Sequence, residues 1–243
     1  MYGLGTIINT AAIVLGGVFG MLFGRLIKER HRDTLGKACG IAVLFIGAAG
    51  AFRGMLSVDA EGKMLSGGDF LIIGCLAIGA LIGELINIEG GFDKFGEWLK
   101  KKTGNARDAA FVEGFVTASL TVCIGAMAIV GAINDGIYGD YSILLTKSIL
   151  DFIIIIVMAA SLGKGTIFSA IPVALLQGSI TALSRLIMPI MTEGALQNLS
   201  LVGSILIFCV GVNLVWGKMI RVANLLPAIP LAVGAAFLPF NLF

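Results

Sequence analysis

The stretch Ser142–Gly163, SILLTKSILDFIIIIVMAASLG, decides the fold. A helix rises about 1.5 Å per residue, so these residues reach about 30 Å, the thickness of a bilayer's hydrocarbon core. Yet Lys147 and Asp151 stand four residues apart near the middle of the stretch. A charge at the centre of a membrane helix costs about 2.5–3.5 kcal/mol, so both side chains are expected to face the interior of a bundle and to find partners. Four residues is also the spacing that puts two side chains on one helix face, where an ammonium and a carboxylate can bond to each other.

The rest of the chain has the same character. It has 243 residues, of which 58% are hydrophobic and 13% charged, against about 25% charged in soluble domains. Apolar segments fall at approximately 3–25, 36–56, 69–88, 109–133, 141–162, 166–188, 196–217 and 226–242. The expected fold is an all-α, polytopic transmembrane helical bundle of about eight spans, a single domain over 1–243. The loops alternate between basic (RLIKERHRDTLGK, EWLKKKTGNAR, LGKGT, GKMIRVAN) and acidic (VDAEGK, NDGIYGD, MTEG). Short cytoplasmic loops are the ones rich in Lys and Arg, so both termini are expected outside. From the outer end of the fifth span, Lys147 then lies roughly 10 Å deep and Asp151 roughly 16 Å. The first apolar run lacks a positive leader and a small-residue cleavage site, and is expected to stay as a span.

Similar runs recur in the same order in the first and last thirds. LAIGALIG (76–83) matches LAVGAAFL (231–238), LFGRLI (22–27) matches ALSRLI (182–187), and GIAVLFIG (40–47) matches GSILIFCVG (203–211). An inverted repeat is expected, 1–88 against 166–243, with the central spans 109–162 between them. Gly16, Gly20 and Gly24, and then Gly79 and Gly83, recur every four residues and form faces on which helices pack closely. Such faces are also candidate seams for a homo-oligomer. Residues 90–102 place Phe92, Phe95, Trp98 and Leu99 among charges, the pattern of a helix lying in the membrane interface.

The fourth span combines Thr117, Ser119 and Thr121 with Gly125 and Gly131, and closes on Asn134 and Asp135. A broken helix between about 123 and 131 fits that composition, because freed backbone groups need polar neighbours; a continuous helix packed through small residues fits it as well. For Lys147 and Asp151 two readings also stand: a self-satisfied ion pair, or a substrate or ion site facing a watery cavity. Ser148, Asn134, Asp135, Asn9, Gln177 and Asn213 are candidate contributors to that site, beside Thr10, Ser179 and Thr181.

The four cysteines lie singly in apolar runs without metal-ligand spacing, and neither metal nor cofactor is expected. A net charge of +2, without a basic patch, excludes nucleic acid as a partner. His31, the only histidine, sits in a basic loop, so a Ser/His hydrolase is hard to build, and no enzyme is expected.

GTIINTAAIVLGGVFGMLFG, IGAMAIVGAINDGIYGDYSILLTKSILDF and NLLPAIPLA together resemble the bacterial domain-of-unknown-function family 554. The resemblance spans essentially the whole chain and implies a multi-pass protein of the cytoplasmic (inner) membrane, sometimes labelled a transporter, with no residues to carry over. The expected function is secondary transport of a small polar or charged solute, coupled to H⁺ or Na⁺, around Lys147 and Asp151. A passive pore, or a structural or regulatory membrane protein, are the alternatives.

Overall fold

The computed structural model describes residues 2–26, 28–58, 62 and 64–238. Among these described residues eleven α-helices follow in order: α1 (Leu4–Leu26), α2 (Glu29–Met55), α3 (Asp69–Ile86), α4 (Ile88–Lys102), α5 (Phe111–Cys123), α6 (Ala126–Tyr138), α7 (Ser142–Leu162), α8 (Ala170–Ala182), α9 (Ser184–Ile187), α10 (Glu193–Trp216) and α11 (Ala228–Ala235). Short 3-10 turns Lys164–Ser169 and Val222–Leu225 lead into α8 and α11. A two-stranded antiparallel hairpin, β1 (Leu56–Val58) with β2 (Met64–Ser66), links α2 to α3. The sequence reading has only an acidic loop there.

Among the described residues, six helical segments are long and apolar enough to cross a membrane, or seven when the bent pair α5–α6 is counted as one span. The eighth expected segment contributes the short apolar helix Val222–Ala235, and its remainder, from Pro239 on, lies outside the described residues. Phe45, Ile73, Leu81, Leu85 and Leu186 are exposed around the periphery, as side chains facing lipid tails are.

Glycine contacts set the directions of the helices. A Cβ on Gly16 would meet the Phe152 carbonyl at 2.7 Å, one on Gly20 would strike the Ile156 carbonyl, and one on Gly24 would meet that of Ala160 at 3.0 Å. Hence α1 and α7 run parallel in backbone contact. Gly40 lies against Leu214, Gly47 against Phe208, Gly50 against Ser204 and Gly54 against Leu201, so α2 and α10 run antiparallel. In the same way Gly79 and Gly83 set α3 antiparallel to α11, on Ala228 and Asn224. These faces are filled within one chain. The resulting directions put all four basic loops at one end of the bundle, which is called the basic end below. At that end α4 lies with Gly96 against Phe115 and Val112 of α5, while Phe95 stacks on Trp98 at 5.7 Å, both exposed. That is the amphipathic helix the sequence predicts.

The break between α5 and α6 bends the chain by 63°. It is made by Gly125, whose φ of 149° and ψ of 145° fall in a region that residues with a Cβ avoid. No atom lies within 4 Å of a Cβ placed on it. Gly125→Ala is therefore expected to cost about 1–3 kcal/mol through backbone strain alone, read as a lower melting temperature of the purified protein. An unchanged melting temperature would mean that the chain relaxes to another geometry at the break.

Candidate functional site

The end of α5 at Cys123 leaves carbonyls without the i+4 partners a continuing helix would supply. Ile124 N–H donates to the Leu120 carbonyl at 3.2 Å. The Val122 carbonyl accepts from Lys147 Nζ at 2.9 Å. On α7, Lys147 Nζ also donates to both oxygens of Asp151, at 2.8 and 2.6 Å, and Asn9 Nδ2 of α1 donates to Asp151 Oδ2 at 3.0 Å. Lys147 is 7% exposed, Asp151 4% and Asn9 0%. The positive charge thus sits at the negative end of α5, a favourable placement. The pair stitches α1, α5 and α7 together where the span is broken.

The pair is closely enclosed by its neighbours. Neither of the two cavities described below includes them; enclosure by helix packing leaves them bonded to each other, to Asn9 and to the backbone.

The other candidates divide. Ser148 turns its hydroxyl to its own helix, donating to the Leu144 carbonyl at 2.6 Å. Asp135, fully buried, accepts from the backbone N–H groups of Gly3 and Gly5 at 3.2 and 2.9 Å. It satisfies the first donors of α1, so its role is a cap supplied by another helix, and it shares no hydrogen bond with the pair. Asn134 is half-buried on the same helix. Asn213 is at the basic end. Its Oδ1 accepts from Met219 and Ile220 N–H, and its Nδ2 donates to the Ile220 carbonyl, which holds the loop after α10. Gln177 on α8 is 0% exposed, and neither amide atom bonds to the protein; nor does Asn9 Oδ1. Each such atom costs about 1–3 kcal/mol.

The open space lies at the basic end. A vestibule of about 1180 Å³ is lined by Asp33 and Lys37 of α2, Glu89, Asp93 and Glu97 of α4, Glu113, Val116, Thr117 and Leu120 of α5, and Leu214 and Lys218 at the end of α10, among others. A smaller cavity of about 620 Å³ adjoins it, sharing Glu89, Asp93 and Lys218. Lys218 bridges the mouth, 2.9 Å from Glu89 and 3.5 Å from Asp93. Burial alone would lower its ammonium, but the hydrogen bond and charge of Glu89, with Asp93, outweigh it and raise the pKa above the ordinary value. The bridge is then fully charged below the ordinary lysine range and is lost only as pH rises through the raised value.

Glu89, 6% exposed, also accepts from Ala223 N–H at 3.0 Å, and its own N–H donates to Asn224 Oδ1 at 2.7 Å. Sequence reasoning passed over Glu89, Lys218 and Asn224. The signal was the run Asn87-Ile-Glu-Gly-Gly, a helix start with Asn at the cap and Glu in the first turn; Asn87 Oδ1 accepts from Gly90 N–H at 3.1 Å.

A bent, glycine-broken span with a buried charge pair at its break, inside a bundle of apolar helices, defines a multi-pass helical membrane protein with a polar centre. The chain belongs to the family described as "Protein of unknown function (DUF554)", whose model matches residues 4–237. It is 32% identical over 227 residues to the uncharacterized membrane protein YdfK of Bacillus subtilis (strain 168), covering 93% of this chain and 92% of that one. It is 31% identical over 234 residues to the uncharacterized protein YqgA of Escherichia coli (strain K12), covering 95% and 94%. No solved structure matches the chain.

Proposed function

We propose that this protein is a secondary transporter of a small polar or charged solute in a bacterial cytoplasmic membrane, driven by H⁺ or Na⁺, with its site around Lys147 and Asp151. The observation that carries the reading is the buried ion pair bonded to the broken end of α5. Broken spans place backbone dipoles and polar side chains where a solute passes in many carriers.

Two further features support it. The vestibule reaches Leu120, within one helical turn of the Val122 carbonyl that Lys147 holds, so a single turn of α5 separates open space from the pair. The α2–α10 contact is also reciprocal. Gly47 lies on Phe208 and Gly211 on Leu44, and the shift that takes 44 to 208 also takes 47 to 211. Any antiparallel helix pair packs reciprocally, and an inverted repeat of these two segments requires such packing. Such a repeat allows the vestibule to close at one end and open at the other. With the basic end cytoplasmic, the vestibule faces the cytoplasm and the N- and C-termini face outside.

In proteoliposomes, Asp151→Asn is expected to reduce ion-driven uptake of a transported solute by tenfold or more, with the protein still folded by its melting curve. Undiminished uptake would remove Asp151 from the mechanism. A structural role is the second reading, and the saturation of the pair favours it: two Lys147 bonds go to Asp151 and one to Val122.

A further inference from the structure

The central site lies on a polar seam between α1 and α8. The Thr6 and Thr181 hydroxyls bond at 3.4 Å, and Gly17 packs on Ile167, so the two helices run antiparallel with Asn9 at the level of Gln177. Thr6 and Asn9 are three residues apart on α1, and Gln177 and Thr181 four apart on α8, spacings that keep each pair on one helix face. One turn deeper than the threonine contact, the seam therefore carries two amides, each 0% exposed. One of the two Asn9 Nδ2 N–H groups donates to Asp151. Asn9 Oδ1 and both amide atoms of Gln177 have no protein partner, and the two amides do not bond to each other.

Resting on the transporter reading, we infer that the solute bound at this seam is a small uncharged molecule with both hydrogen-bond donors and acceptors, of the amide, urea or polyol class. The valences require it. Two free acceptors, Asn9 Oδ1 and Gln177 Oε1, need donors from the solute, and Gln177 Nε2 needs an acceptor. No charge is left over to balance an ion. Each oxygen of Asp151 accepts from Lys147, and the ammonium's remaining bond is to Val122. A charged solute entering this enclosed, low-dielectric layer would lose its hydration with nothing to compensate it, whereas a neutral one exchanges water for the three open amide atoms. The ion pair then sets the geometry through Asn9, and the amides select.

The test uses the full-length protein in liposomes, with labelled urea, glycerol and acetamide as neutral probes and labelled glutamate and lysine as charged ones, alongside osmotic water permeability. Uptake of at least one neutral probe above protein-free liposomes is expected, with the charged probes at background. Gln177→Leu, which fills the same space without polar atoms, is expected to cut that uptake about tenfold or more, the effect of losing hydrogen bonds to an enclosed ligand, while the melting temperature holds or rises. Uptake of glutamate or lysine that survives Gln177→Leu overturns the inference and leaves the carrier standing. Enhanced water permeability without solute uptake assigns the seam to water and overturns it as well. Background uptake of every probe by folded protein removes both this inference and the transporter reading beneath it.

Discussion

Lys147→Met alone will lower the stability of the purified protein by about 3–5 kcal/mol, a fall in melting temperature on the order of 10 °C. The variant leaves Asp151, 4% exposed, as a buried carboxylate with Asn9 as its hydrogen-bond partner, and it leaves the Val122 carbonyl without the donor that closes α5. Removing one member of a buried pair costs more than the pair itself contributes, because the remaining charge is desolvated and uncompensated. The double variant Lys147→Met/Asp151→Leu will recover most of the loss, since two apolar groups of similar volume need no hydration. Transport will stay lost in both. A double variant as unstable as the single one would show that the Val122 carbonyl, and not charge burial, dominates. A double variant that still moves solute would assign the pair to architecture alone.

Gly20→Leu will prevent assembly of the bundle or destabilise it by more than about 3 kcal/mol, beyond the range of ordinary core overpacking. A Cβ at this position would strike the Ile156 carbonyl and sit 2.8 Å from the Ala159 Cβ. Neither obstacle can rotate away, because one is backbone and the other has no χ angle. The helices must part along the seam where Gly16, Gly20 and Gly24 meet Phe152, Ile156 and Ala160. Gly74→Ala supplies the control: nothing lies within 4 Å of its Cβ, so the helix gains up to about 1 kcal/mol of propensity at no steric cost. Folded yield and melting temperature in detergent separate the two. Equal behaviour of Gly20→Leu and Gly74→Ala would mean that the α1–α7 seam is not close-packed.

The sequence reading succeeded wherever the reason was local. Lys147 and Asp151 bond because four residues make one turn, and the break falls inside the stretch where glycine and hydroxyl residues gather. It failed on partners brought in from afar. Asp135 looked like a second carboxylate for the site, but Gly3 and Gly5, some 130 residues away in the chain, take it as their acceptor. Asn213, a candidate for the same site, bonds to the Ile220 backbone and closes a loop at the basic end. Glu89 drew no notice beside a helix end, yet it ties α4 to Ala223 and Lys218.

Composition and span length by themselves determined that this chain is a multi-pass helical membrane protein, because hydrocarbon admits only segments that satisfy their own backbone and are long enough to cross it. Periodicity of four determined the pair on α7 and the glycine faces. Only the tertiary structure decided that the pair is bonded to a broken helix end rather than open to water, and that the cavity lies at the basic end of the bundle. Hydropathy gives the depth of a residue in the membrane but not the direction its side chain points around the helix axis. That angle is set by which helix packs beside it, through backbone contacts such as Gly20 on Ile156, which no single segment contains.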